Sequence, residues 1–234
     1  MNIDVIRPYL PLLHALELSF AEELKYTFTE SEIAHIIRNA NEHFEQIKKV
    51  IPDIDNSSPW LKNLLGISYE IGVWKELEKR GFSLNSISVI TQKALKVLSA
   101  QSIPKERIPE IRSFMCSEKY VKQIASASQE KTNGEDWLFE CILPSKKDTF
   151  NIGMNIYRCP VSVLCKRLNV EPYFPYFCIN DYVTHYALGI QLTRTQTLAH
   201  GNSCCDFRLT ANGAIYENII YNPEQLPEFN HNKL

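Results

Sequence analysis

Apolar residues recur at helical spacing through the first half of the chain and alternate through much of the second. From Glu30 to Val50, Ile33, Ile36, Ile37, Phe44 and Ile47 fall on one face, and Thr29 with Glu32 has the form of a capping box, so an amphipathic helix is predicted there. Its polar stripe holds Glu32, His35, Asn39, Glu42 and His43. The Glu32/His35 pair has the spacing of half a di-iron bundle site, but no second Glu-x-x-His occurs, and a solvated helix face is the expectation. A polar linker, 51–59, precedes a second helix from Trp60 to Lys79 that Gly81 stops. A third helix is predicted from Ser88 to Ala100, and a fourth from Arg107 to Gln129 with a break near Pro109.

At Trp137 the period changes. Trp137, Phe139, Cys141 and Leu143 alternate, predicting a strand, and a turn over 144–148 leads to a second strand that runs to Arg158. In that strand Phe150, Ile152, Met154 and Ile156 form an apolar face, opposite Asn151, Gly153, Asn155, Tyr157 and Cys159. Cys159-Pro160 opens a short helix to 168, and the place of Cys159 just outside a helix N-terminus is one that lowers a thiol pKa. Another helix, Tyr176 to Leu188, puts Cys178 and Asp181 on one face.

The most distinctive stretch, Arg194 to Arg208, reads as strand, turn at Gly201 and strand. Alternation sets Thr193, Thr195 and Thr197 against Leu192, Arg194, Gln196 and Leu198. A guanidinium on a leucine-bearing face must reach water or meet a carboxylate. Asn212-Gly213 signals a further hairpin with a last strand from Ala214 to Tyr221, and the tail 222–234 is expected to fray. Helices first and an antiparallel sheet after define an α+β fold: a helical region over 1–130 and an α+β region over 131–234, together one compact unit.

Composition narrows the partners. A net charge of −2, with both signs spread through the chain, provides no basic footprint for nucleic acid and no polybasic membrane patch. No run approaches a membrane span and the N-terminus lacks an uninterrupted apolar signal region, so a cytoplasmic protein is expected. Its 7 cysteines are then thiols, since the cytosol is reducing and the number is odd. Neither a Cys-x-x-Cys pair nor a glycine-rich phosphate cradle occurs.

The order Trp137-Leu-Phe-Glu, the run from Phe150 to Cys159, Pro175-Tyr-Phe-Cys178-Ile-Asn-Asp181, Arg194 to Gly201 and Cys205-Asp-Phe-Arg208 resembles the L-2-amino-thiazoline-4-carboxylic acid hydrolase family. The resemblance covers roughly 137–210 and implies hydrolytic opening of a small heterocyclic or amidine-like substrate, with no cofactor. That chemistry needs attack on an sp2 carbon, a proton for the departing heteroatom and a cation for a substrate carboxylate. The family positions, together with the face and helix-start arguments, assign Cys159 as thiolate nucleophile, Asp181 as proton donor or orienting base, and Arg194 as carboxylate clamp. Cys178 belongs with the catalytic group, and Thr195, Thr197, Asn155, Tyr157, His200 and Cys205 with the substrate-binding surface. Two positions depart from the family pattern: His200 stands before Gly201 where an acidic residue is common, and Asn155 where an aspartate is frequent. Two other readings stay open. One is a zinc-dependent hydrolase in which Cys159, Cys178, Asp181 and Cys205 converge on the metal, and the other is a non-catalytic module that binds a small ligand.

Overall fold

The computed structural model describes residues 3–130, 134–215 and 226–229. Helices α1 (Ile3–Ile6), α2 (Leu10–Leu24), α3 (Glu30–Ile47), α4 (Leu61–Glu78), α5 (Leu84–Ser102), α6 (Ile108–Met115) and α7 (Glu118–Gln129) come first. Strands β1 (Leu138–Ile142) and β2 (Ile152–Arg158) follow, then α8 (Pro160–Arg167), α9 (Phe174–Phe177), α10 (Asn180–Ala187), β3 (Ile190–Thr193) and β4 (Cys205–Ala211). The sheet is antiparallel in the order β1-β2-β4-β3, so the fold is α+β.

Helix α3 begins where its sequence says: Thr29 and Glu32 form the reciprocal capping box. It lies against α4 at Gly72, where an added Cβ would sit 2.6 Å from the Ala40 carbonyl oxygen, so a side chain there would force the helices apart. Helix α2, which no clear stripe announces, buries Leu13, Leu16, Phe20 and Leu24 while Leu10 and Leu18 stay exposed. Helix α5 starts four residues before its predicted start because Ser83 caps it through the Ser86 N–H. The predicted break near Pro109 falls elsewhere. Pro109 occupies the first turn of α6, where a missing N–H costs nothing, and the chain turns at Cys116 before Ser117 caps α7.

One face of the sheet is core. Phe139, Ile152, Met154, Ile156, Phe207, Leu209 and Leu192 are buried there. The opposite face carries Glu140, Asn155, Tyr157 and Arg208, with Asn155 accepting from Arg208 and Tyr157 donating to Glu140. The polar linker 51–59 is pinned to the approach of β1: the Asp53 N–H donates to Glu135 at 2.9 Å and the Asp55 N–H to the buried Asp136 carboxylate at 3.0 Å. Asp136 also accepts from the Trp137 N–H at 2.7 Å. These bonds set Trp60, at the start of α4, against Trp137 and Phe139, with ring centroids 6.0 and 5.2 Å apart.

Four sequence expectations change here. The predicted helix 176–188 is two helices, since the chain turns at Cys178 and Ile179 between α9 and α10. The first strand of the 194–208 stretch ends at Thr193, and Arg194 to Ser203 is a loop containing a short 3-10 turn, Leu198–His200, closed by Gly201 at φ 81°. Asp206 holds that loop by accepting the N–H groups of Thr195 and Gln196, each at 2.9 Å. The Asn212 N–H donates to the Gly189 carbonyl, which ends the β3/β4 ladder instead of opening another hairpin. Ala214 and Ile215 are not in a strand; the rest of the predicted last strand lies outside the described residues. The tail is not wholly frayed, because Leu226 and Glu228 are buried and Pro227–Phe229 forms a 3-10 turn.

Candidate functional site

Where α4, α8, α9 and α10 meet the inner face of β2 and β4 lies a partly open cleft with a volume of about 60 Å³. Asn63 and Ile67 of α4 and Trp60 before it form one side, with Trp137, Ile156 and Val161 beside them. Phe174, Phe177 and Cys178 come from α9 and its end, Cys205 and Phe207 from β4, and Cys159, Asp181 and Arg194 complete the lining. The wall is mostly apolar, with five aromatic side chains, and its charged groups are few.

Arg194 anchors that polar group. Its Nε donates to Glu228 at 2.7 Å, Nη1 to Asp181 at 3.0 Å and Nη2 to the Cys178 carbonyl at 2.6 Å. The Tyr182 and Phe207 rings lie 4.8 and 5.2 Å from the guanidinium carbon. Its side chain and that of Glu228 are 0% exposed, whereas Asp181 keeps 30% of its side-chain surface. The chain thus answers the demand of a buried guanidinium with two carboxylates. Burial raises the Asp181 pKa, opposed by the adjacent Arg194 charge. One turn on, His185 Nδ1 lies 2.6 Å from the Asp181 carbonyl, and burial pulls the imidazole pKa down.

The thiols behave differently from the helix-start expectation. Cys159 stands at the N-cap of α8 without a side-chain capping bond, and burial and the nearby Cys205 push its pKa up to about 12. Burial likewise carries Cys178 well above the ordinary thiol value and Cys205 up to about 11, the latter against a Leu198 N–H at 3.2 Å. Desolvation outweighs the helix dipole, so these are neutral thiols at pH 7.

Of the residues the sequence singled out, Cys159, Cys178, Asp181, Arg194 and Cys205 line the cleft. Five others do not. Asn155 and Tyr157 sit on the outer sheet face, because Ile156 between them takes the inner one. Thr195 is exposed and tied to Asp206 at 2.7 Å; Thr197 is buried against His200 Nδ1 at 2.8 Å, and the His200 ring packs on Phe229. The polar face of β2 is therefore not the face that lines the cleft, and these five residues stand apart from it. Among the described residues, no three His, Cys, Asp or Glu side chains are grouped as metal ligands, which lends the zinc reading no support. Sequence reasoning missed the aromatic wall and Glu228. The one signal for Glu228 was the unmet charge of Arg194.

The α+β scaffold thus gathers a clamped carboxylate and three thiols in one aromatic-lined cleft. The family model for L-2-amino-thiazoline-4-carboxylic acid hydrolase matches residues 75–209, and the chain belongs to that family. The match takes in Cys159, Cys178, Asp181, Arg194 and Cys205, while Trp60, Asn63, Ile67 and Glu228 lie outside it. Neither a curated protein nor a solved structure matches the chain. The family supports a hydrolase-type function. No helix among the described residues is long and apolar enough to cross a membrane.

Proposed function

We propose that the cleft hydrolyses a small heterocyclic or amidine-like substrate, opening a carbon–nitrogen or carbon–sulfur bond, with Asp181 as acid-base group and Cys159 as nucleophile. The observation that carries this reading is Asp181. It is the one carboxylate among the cleft-lining residues, it is held in place by Arg194, and burial raises its pKa. A carboxyl shifted upward exchanges protons nearer neutrality than an ordinary one, as acid-base catalysis requires.

In this scheme the Cys159 thiol passes its proton to Asp181 as sulfur bonds to the sp2 carbon. Asp181 then delivers that proton to the departing nitrogen or sulfur as the old bond breaks. Water adds to the same carbon, Asp181 takes its proton, and Cys159 leaves with that proton to regenerate the thiol. The net change is the addition of one water. Cys159 stands at the N-cap of α8, where the helix dipole favours negative charge on the sulfur. Arg194 acts as a positioning residue for Asp181, and the Cys178 carbonyl in turn holds Arg194.

A thiol pushed up to about 12 also favours a second reading, in which Asp181 activates water directly and Cys159 is only part of the wall. Turnover of a panel of small cyclic amidines and thiazolines by Asp181→Asn and Cys159→Ala variants separates the two. Loss of at least about 100-fold in kcat/KM from both variants supports the thiol route, and loss from Asp181→Asn alone supports direct attack by water. A folded Asp181→Asn protein with full turnover would sink the site. Tight binding without turnover of any panel member would return the protein to the ligand-binding reading.

A further inference from the structure

We propose that Glu228 is a positioning residue for Asp181: by holding one edge of the Arg194 guanidinium, it leaves Asp181 able to take up and release a proton in the cleft. The inference rests on the acid-base role proposed for Asp181, and it adds a residue beyond the span that the family model matches, 75–209. The arrangement is a fork. Arg194 Nε donates to Glu228 Oε1 at 2.7 Å, and Nη1 donates to Asp181 Oδ2 at 3.0 Å. Two carboxylates thus divide one cation. The segment that brings Glu228 there is held by the buried Leu226 and by Phe229, which packs on Tyr176 and His200.

Charge decides what this division does. With both carboxylates ionised the trio carries one excess negative charge, in a place where the Arg194 and Glu228 side chains present no surface to solvent. Uptake of one proton brings it to neutrality, which burial favours. That proton goes to Asp181. Glu228 is enclosed and its oxygens are engaged, Oε1 by Arg194 and both by the Tyr182 hydroxyl at 2.9 and 3.0 Å, whereas Asp181 lines the cleft and keeps 30% of its side-chain surface. Without Glu228, Arg194 and Asp181 would balance as they stand, and a proton on Asp181 would leave a buried guanidinium uncompensated. The direction of the Asp181 pKa agrees: burial raises it most, Arg194 opposes, and Glu228 adds to the rise. The other titratable groups around Asp181 do not replace Glu228. Burial pulls down the pKa of His185 on the same helix and holds the Cys159, Cys178 and Cys205 thiols protonated, and Glu70 meets α10 at Asn180 rather than at Arg194.

The experiment is a pH titration of the Asp181 carboxyl by carbon NMR in the full chain, its signal assigned by loss in Asp181→Asn, with the pH profile of kcat/KM followed separately. Glu228→Gln keeps an acceptor for Arg194 Nε and removes the charge. The expected result is that Asp181 titrates at least about one unit lower in Glu228→Gln than in wild type, and that the acid limb of kcat/KM moves down with it. An Asp181 titration that is the same in both proteins overturns the inference even where the variant is less stable, because a merely structural role changes stability alone. If Glu228→Gln does not fold, the wild-type chain decides: Asp181 titrating above an ordinary aspartate upholds the inference, and at or below one overturns it. The Asp181 shift without turnover of any panel member leaves this inference standing and counts against the hydrolase proposal, whereas turnover with no shift does the reverse.

Discussion

Glu70 shows how a single buried group ties stability to pH in this protein. It is 3% exposed on α4, one turn beyond the cleft residue Ile67, and its carboxylate accepts from Asn180 Nδ2 at 2.8 Å. Burial raises its pKa from 4.5 to about 7, and the Asn180 bond only partly offsets this. Between those values the folded chain holds a proton that the unfolded chain has lost. Stability therefore falls as pH rises through that window and levels off above it, by about 3 kcal/mol in all. Glu70→Gln keeps an acceptor for Asn180 and removes the titration. Urea unfolding should find the variant more stable than wild type by about 3 kcal/mol at pH 8 and similar to it near pH 4.5. Equal pH slopes for the two proteins would mean that Glu70 is hydrated and ionised in the native state. At this scale the sequence was informative about need and poor about partners. Arg194 on a leucine-bearing strand had to find a carboxylate. Which one it found depended on a tail without periodicity and on a helix start, Asp181, that the chain brings close only after α9 turns. The Cys159 pKa went the other way from its sequence reading because a helix start is a local feature, while burial outweighs it, with Cys205 on β4 and Asp181 on α10 adding in the same direction.

The segment Leu226–Phe229 is the element whose importance exceeds its length. Leu226 is 2% exposed, and the Glu228 carboxylate accepts from Arg194 Nε at 2.7 Å and from the Tyr182 hydroxyl at 2.9 Å. Phe229 packs on His200 and Tyr176. Glu228→Ala leaves a fully buried guanidinium with Asp181 alone, and losing one partner of a buried pair costs about 3 kcal/mol or more. Chemical denaturation should show that loss, with Asp181 drawn further toward Arg194 and turnover reduced as a second effect. A loss below about 0.5 kcal/mol would place the segment among surface ion pairs instead. Elements with a strong period, α3 and β2, were each legible to the residue at one end, the start of α3 and the end of β2, because capping at Thr29 and alternation at Ile152–Ile156 are set locally. The 194–203 loop was not. Its threonine alternation resembles a strand, but Asp206 takes the N–H groups a ladder would use, and Thr197 turns inward.

At the scale of the whole molecule, the cleft joins the two halves of the chain. Trp60, Asn63 and Ile67 come from the helical half, Cys159, Asp181, Arg194 and Cys205 from the other, and linker 51–59 is stapled to the approach of β1. All three tryptophans stand on this seam or beside it: Trp60 against Trp137, and Trp74 against Tyr173, Tyr176 and Phe177. Indole fluorescence therefore reports the contact between halves, while far-ultraviolet circular dichroism is dominated by the helices. A core shared in this way should unfold in one cooperative step, with the two signals superimposing across a urea titration. Fluorescence that changes before the helical signal would instead mark 1–130 and 131–234 as separately stable units. The same argument links stability to ligand. A small amidine bound at the seam touches both halves, so it should move the single midpoint upward without splitting the transition.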